Sequence, residues 1–139
     1  MRIQFISQLT EFQLYKPKKY REFLTACARE EGKRINNLLY KFVSEQKILS
    51  INSQFLNHNY VTDIITFDNS FLEDINGEIF ICVEEVRRNA LLHNSNSFEE
   101  ELNRVILHGL LHLLGYKDGS ESDRKIMRNK ESYYLQYFV

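Results

Sequence analysis

An α+β fold, a small mixed four-stranded sheet covered by about five helices, is what the sequence predicts, and three observations carry that expectation. First, 139 residues suit a single domain with its own core, so residues 1–139 are read as one domain. Second, short β-branched and aromatic runs alternate with longer stretches whose apolar residues recur at helical spacing. Third, a lone Pro17, five glycines and the lack of any repeat leave no material for a linker, a collagen-like chain or a solenoid.

The elements follow in order. Arg2 to Ser7 alternates weakly and reads as a first strand. Lys18 to Glu31, with Phe23, Leu24, Cys27 and Ala28 on one face, reads as a helix ended by Gly32. Leu38, Tyr40 and Phe42 alternate within a strand over Asn37 to Val43. Ser44 can cap the next helix, whose stripe is Ile48, Leu49, Ile51, Phe55 and Leu56. Thr62 to Phe67 and Glu78 to Val83 read as central strands, and Asn76-Gly77 between them carries a strong hairpin-turn signal. Val86, Ala90 and Leu91 mark a third helix, and Ser97 opens a fourth that runs to Gly115 with Glu99 to Glu101 in its first turn. A last helix over Ser122 to Tyr137 offers Ile126, Met127, Tyr134 and Leu135 to the core. One sheet with helices packed on it accommodates this order.

The net charge of −1 argues against a broadly cationic nucleic-acid binder. Charge is nonetheless segregated: Lys16 to Arg21 and Arg124 to Lys130 hold eight of the 18 basic residues and no acid. No segment approaches the ~20 apolar residues of a membrane span, and a soluble, cytoplasmic protein without a membrane partner is expected. Cys27 and Cys82 are single and far apart, which suits buried thiols rather than a disulfide framework.

Chemistry concentrates in His108-Gly-Leu-Leu-His112-Leu-Leu-Gly115-Tyr-Lys-Asp118. Histidines at i and i+4 stand on one helical face, one turn apart, where both reach one ion. Gly115 can take the left-handed conformation that ends the helix, and the chain then turns back to offer Asp118 as a third ligand. In geometry this matches the long zinc motif of metzincin proteases. Three protein ligands leave a fourth position for water, the catalytic rather than the structural arrangement of zinc. The general base of HExxH proteases is absent, because Gly109 occupies its place; that glycine is expected to serve close packing against the sheet or metal region. Two His and one carboxylate also suit iron, so zinc is the first expectation and nickel or iron remain open.

HGLLHLLGY resembles the signature of the YbeY family of metal-dependent endoribonucleases, whose pattern is HGxLHLxGYDH. LNHNYVTDIITF resembles that family's LN…TDVLSF segment, Gly77 to Ile81 its GDIxI strand, and Met127 and Glu131 stand where it tends to carry Met and Glu. The resemblance runs from about Phe55 to Glu131 and implies a zinc-dependent, single-strand-specific endoribonuclease. It would act in maturation of the small-subunit rRNA 3′ end and in ribosome quality control, with rRNA and the small ribosomal subunit as partners and no DNA. The chain departs from the pattern twice. Lys117-Asp118 replaces the usual Asp-His, so a carboxylate stands where the family has its third histidine. The Arg that the family associates with RNA cleavage has no counterpart in the shorter Asn57 to Thr62.

RNA cleavage needs cations at the phosphate. Beyond the ion, the candidates are Lys117, alternatively plain solvent-facing, and Arg104, alternatively an ion pair with Glu100 or Glu101. Asp63 could orient a ligand histidine or cap a turn, His58 could approach the cleft, and His93 is expected to be exposed. Base stacking could use Tyr15, Tyr20 or Tyr116, with the two basic segments on phosphates. A ribosome-assembly binding protein with a mainly structural metal is the alternative reading, carried by the missing Arg.

Overall fold

The computed structural model describes residues 1–92 and 97–138. Strand β1 (Arg2–Ser7) leads through helix α1 (Pro17–Glu30) to β2 (Arg34–Val43), and α2 (Glu45–Leu56) leads to β3 (Ile64–Asp68) and β4 (Asp74–Cys82). Helices α3 (Val83–Leu92), α4 (Phe98–Leu113) and α5 (Glu121–Leu135) complete the chain. The sheet runs β1-β2-β4-β3, parallel except for the antiparallel β3–β4 pair, as expected of a mixed four-stranded sheet with five helices.

Alternation sorts side chains onto the two faces of this sheet. Leu38, Tyr40 and Phe42 of β2 and Ile75, Ile79 and Ile81 of β4 point into the main core, where they meet Leu24, Ile106, Leu107, Leu110 and Leu111 of α1 and α4. Each such side chain contributes about 1.5–3 kcal/mol on burial. Tyr40 keeps its hydroxyl satisfied there by donating to the Ile106 carbonyl at 2.7 Å. On the other face α2 lays Ile48 and Ile51 against Ile65, Phe80 and Cys82. Both cysteines are buried and free, as expected.

Four details differ from the sequence reading. Strands β2 and β4 begin earlier than expected, at Arg34 and Asp74, where the two residues pair in register through a 2.8 Å ion pair. The polar run Asn36, Asn37 and Asn76 hides that extension from a pattern of apolar alternation. Asn76-Gly77 is not a turn but part of β4. The reversal lies earlier, at 69–73, with Leu72 at φ 55°. Gly77 is required by packing: a Cβ there would lie 2.8 and 2.9 Å from the two Leu113 methyls.

Leu49, Phe55 and Leu56 of α2, Leu91 of α3 and Ile126 of α5 are exposed rather than core. Helix α2 covers only the β3–β4 side of its sheet face, so only its Ile48, Ile51 and Asn52 line is buried. Among the described residues no helix is long and apolar enough to cross a membrane.

Candidate metal centre and its groove

Helix α4 is fixed at both ends. Ser97 accepts from the Glu100 amide while the Glu100 carboxylate accepts from the Ser97 amide, a reciprocal cap that satisfies two donors of the first turn. Along the body, Gly109 admits close contact with the sheet, since a Cβ there would stand 2.8 Å from Ile79 Cδ1 and 3.1 Å from Ile64 Cδ1. A side chain at 109 would have to displace those isoleucine methyls, which disfavours the glutamate that the proteases use as base. The helix ends at Gly115, φ 106°, where the amides of Gly115 and Tyr116 bond back to His112 and Leu111. The turn then carries Asp118 over the His108–His112 face before Ser120 caps α5.

The three expected ligands converge. His112 Nε2 lies 3.0 Å from His108 Nε2 and 3.2 Å from Asp118 Oδ2, and His108 Nε2 lies 3.3 Å from the same oxygen. Hydrogen-bond partners assign the tautomers. His108 Nδ1–H donates to Glu131 Oε2 at 2.5 Å, and His112 Nδ1–H donates to the Tyr116 carbonyl at 3.0 Å. In the neutral imidazoles both Nε2 atoms then carry lone pairs, aimed at one another and at a carboxylate oxygen. Three acceptors facing one point repel unless a cation lies among them. Metal bonds of about 2.0–2.1 Å at tetrahedral angles put ligand atoms about 3.3 Å apart, so these residues fit a divalent ion.

Behind the histidines stands a buried ionic cluster that the sequence reading did not assemble. Glu101 and Glu131 are both buried, and Arg104 joins them, with Nη2 2.6 Å from Glu101 Oε2 and Nη1 3.3 Å from Glu131 Oε1. Burial opposes the Arg104 charge, but the Glu101, Glu131 and Asp63 carboxylates outweigh it and raise its pKa. Of the two partners weighed for Arg104, Glu101 is present and Glu100 is engaged in the cap. The guanidinium thus serves the residue that holds His108 and does not line the groove in front of the ligands.

That groove, of roughly 490 Å³, is lined by residues of the α2–β3 connection, β3 and α4, including Asp63, Asp68 and Asp118. Among its described lining residues there is no Lys or Arg. Asp63 does line it, but its carboxylate accepts from Asn89 Nδ2 at 3.4 Å, and the acceptor that orients His108 is Glu131 instead. Burial, partly countered by Arg104 and His108, pushes the Asp63 carboxyl above its usual pKa.

His58 reaches the groove, stacked on Tyr60. Lys117 is exposed next to Asp118. Tyr20 is unavailable for base stacking: it is buried, with its hydroxyl on Asn103. The Tyr116 ring has Lys130 over it and its hydroxyl on Glu31, whereas Tyr15 is exposed. His93 lies outside the described residues.

The family described as Endoribonuclease YbeY matches residues 5–139, so the likeness extends through the N-terminal third as well. A protein of that name from Cytophaga hutchinsonii is 44% identical over 130 residues, spanning 93% of this chain and 90% of its own length. Another from Flavobacterium johnsoniae is 42% identical over 129 residues, spanning 93% and 92%. The solution structure of a Thermotoga maritima protein superposes with a TM-score of 0.68 at 31% identity, covering 97% of this chain and 87% of that one.

Proposed function

We propose that this chain, which belongs to the Endoribonuclease YbeY family, is a zinc-dependent, single-strand-specific endoribonuclease that matures the 3′ end of small-subunit rRNA in the cytoplasm. One observation carries the metal-dependent part of this reading: two Nε2 atoms and one carboxylate oxygen lie within 3.3 Å of one another on the lining of one groove. His108, His112 and Asp118 would hold the ion. A bound divalent ion supplies Lewis acidity toward a phosphodiester and lowers the pKa of water.

The chain's own residues do the rest. Glu131 and the Tyr116 carbonyl each accept a hydrogen bond from an Nδ1–H, which fixes the tautomer and aims each Nε2 at the ion. Arg104 balances Glu101 and Glu131 behind them and acts in positioning. Lys117, exposed beside Asp118, is the side chain proposed to meet a phosphate of the substrate. Away from the groove, Arg21 donates to the Ile3 carbonyl and Lys130 pairs with Glu31, which leaves the exposed Lys16, Lys18, Lys19, Arg124, Lys125 and Arg128 of the two basic segments, proposed to contact the RNA backbone.

The test is cleavage of a small-subunit rRNA 3′ fragment by zinc-loaded protein, with and without chelator. Loss of cleavage in the chelator and in the His112→Ala, Asp118→Ala double variant is expected; unchanged cleavage in that variant overturns the reading. The absence of Lys and Arg among the described lining residues favours a second reading, a ribosome-assembly factor whose metal holds the fold. Chelation would then melt the protein, whereas for the nuclease it leaves a folded, inactive chain.

A further inference from the structure

The groove that carries the ligands has a second feature the metal chemistry does not use. His58 and Tyr60, on the connection between α2 and β3, stack with ring centroids 5.2 Å apart and planes 20° from parallel, and a 3.1 Å hydrogen bond joins Tyr60 Oη to His58 Nδ1. Tyr60 is nevertheless 55% exposed, which leaves much of the residue open to a ligand. Both residues line the same groove as His108, His112 and Asp118.

The pair is held in place from below. Asn52, a polar side chain only 2% exposed, donates from Nδ2 to the Tyr60 carbonyl at 2.9 Å, and its own backbone carbonyl accepts from the His58 amide at 3.0 Å. The same residue thus ties both ends of the three-residue segment to α2. An exposed aromatic pair on a loop loses order unless something of this kind holds it. A preorganised π surface is what stacking recognition needs, because little ordering entropy is left to lose on binding.

The electrostatics of the groove narrow the ligand. Its charged lining residues are Asp63, Asp68 and Asp118, with no Lys or Arg among the described ones. Away from a bound ion and from Lys117 at its edge, such a groove wall attracts no phosphate, so contact between the wall and a nucleotide is expected through the base. Tyrosine presents that base with a flat, sequence-tolerant partner. A base inside a duplex has both faces already stacked, which leaves only an unpaired base able to add to the His58–Tyr60 pair.

We propose that Tyr60, backed by His58 and held by Asn52, is a stacking subsite for one unpaired nucleobase beside the metal centre, and that this stack selects single-stranded RNA. The inference rests on the nuclease reading above. Tyr60 here is a substrate-positioning residue, and the scissile phosphate is reached from it along one strand.

The test uses zinc-loaded full-length protein and two probes: 2′-O-methyl hexaadenylate, and the same sugar-phosphate backbone without bases. Tyr60→Ala is expected to weaken binding of the first about five- to tenfold and leave the second unchanged, whereas Tyr60→Phe retains both affinities. The chain has no Trp, so Tyr60→Trp also places a single indole at the subsite, excited selectively over the tyrosines. Its emission should be quenched by the hexaadenylate and not by the base-free backbone, a readout that does not depend on the alanine variant folding.

Equal affinities of wild type and Tyr60→Ala for the hexaadenylate, or emission from the Tyr60→Trp variant that stays unquenched at saturation, overturn the stacking subsite. If the wild type still cleaves RNA in a chelator-sensitive way, the nuclease reading survives that result. If the wild type neither binds nor cleaves RNA, both fall together.

Discussion

His108 and His112 occupy one face of one helix a turn apart, yet the molecule secures them by different means. His108 is tied through Glu131 to a buried cluster that joins α4 to α5, with Arg104 and Glu101 behind it. His112 is tied to the backbone carbonyl of Tyr116 in the exit turn, next to the exposed Asp118. The first anchor is a side-chain carboxylate that raises ligand basicity and is costly to disturb. The second is a peptide group whose position depends on how the turn itself is held. Tyr116 is fastened in its turn by donating its hydroxyl to Glu31 at 2.7 Å, and Tyr134 and Lys130 bind the same carboxylate. One half of the centre is thus part of the core, and the other is a surface turn stapled to α1 and α5.

Removing the core anchor should have the largest effect. Glu131→Ala leaves Arg104 with one of its two buried partners and His108 with no acceptor at Nδ1. A loss of about 3–5 kcal/mol in urea unfolding is expected, because one member of a buried ionic cluster is deleted. Glu131→Gln, which keeps an oxygen near Nδ1, should fold better while binding zinc about 10–100-fold more weakly in a competition assay. If Glu131→Ala unfolds like the wild type, the core is not what holds His108.

The turn staple should show itself in pH dependence. Burial alone would raise the Glu31 carboxyl, but hydrogen bonds from Tyr116, Tyr134 and Lys130, with the Lys130 charge, outweigh it and hold Glu31 below its usual range. A depressed carboxyl contributes stability that is full above its unfolded value of about 4.3 and is lost as pH falls through the folded value. Glu31→Gln should therefore reduce stability by about 1–2 kcal/mol at neutral pH. The difference from wild type should shrink below about pH 4 in denaturation curves. A constant difference across that range would separate Glu31 from the staple.

The same division governs what could be read without coordinates. The His108, His112, Gly115, Asp118 spacing is local to one helix and its exit, so helix geometry and a single positive-φ glycine sufficed to bring the ligands together. The order of strands and helices was legible for the same reason, through alternation in β2 and the Ser44 and Ser97 caps. Contacts made across the fold were not. Glu131 is 23 residues from His108, and nothing in the spacing distinguishes it from Asp63 as the acceptor for Nδ1. Asn52 looks like a polar interruption of an apolar stripe until the loop it grips is placed beside it. Asn76-Gly77 carries a true local turn signal, but the glycine answers to Leu113 across the sheet. Arg104 was legible as a cation one turn before His108 and as a partner of Glu101, whereas its second carboxylate, Glu131, was not.

Asp118 offers the cleanest separation of the two anchors, because as a proposed ligand it belongs to neither. It is exposed, and its contacts outside the cluster are through its backbone carbonyl, which accepts from Arg124 at 3.4 Å. Asp118→Ala should leave the unfolding midpoint of metal-free protein within about 0.5 kcal/mol of wild type, as for a surface change. Zinc affinity should fall further than the ~10–100-fold expected of an outer partner such as Glu131, because a ligand atom itself is lost. Asp118→His, which restores a nitrogen donor at the position where the family pattern carries one, should recover binding. If Asp118→Ala binds zinc as well as the wild type, the centre is a two-histidine site, and the surface turn contributes only the Tyr116 carbonyl that aims His112.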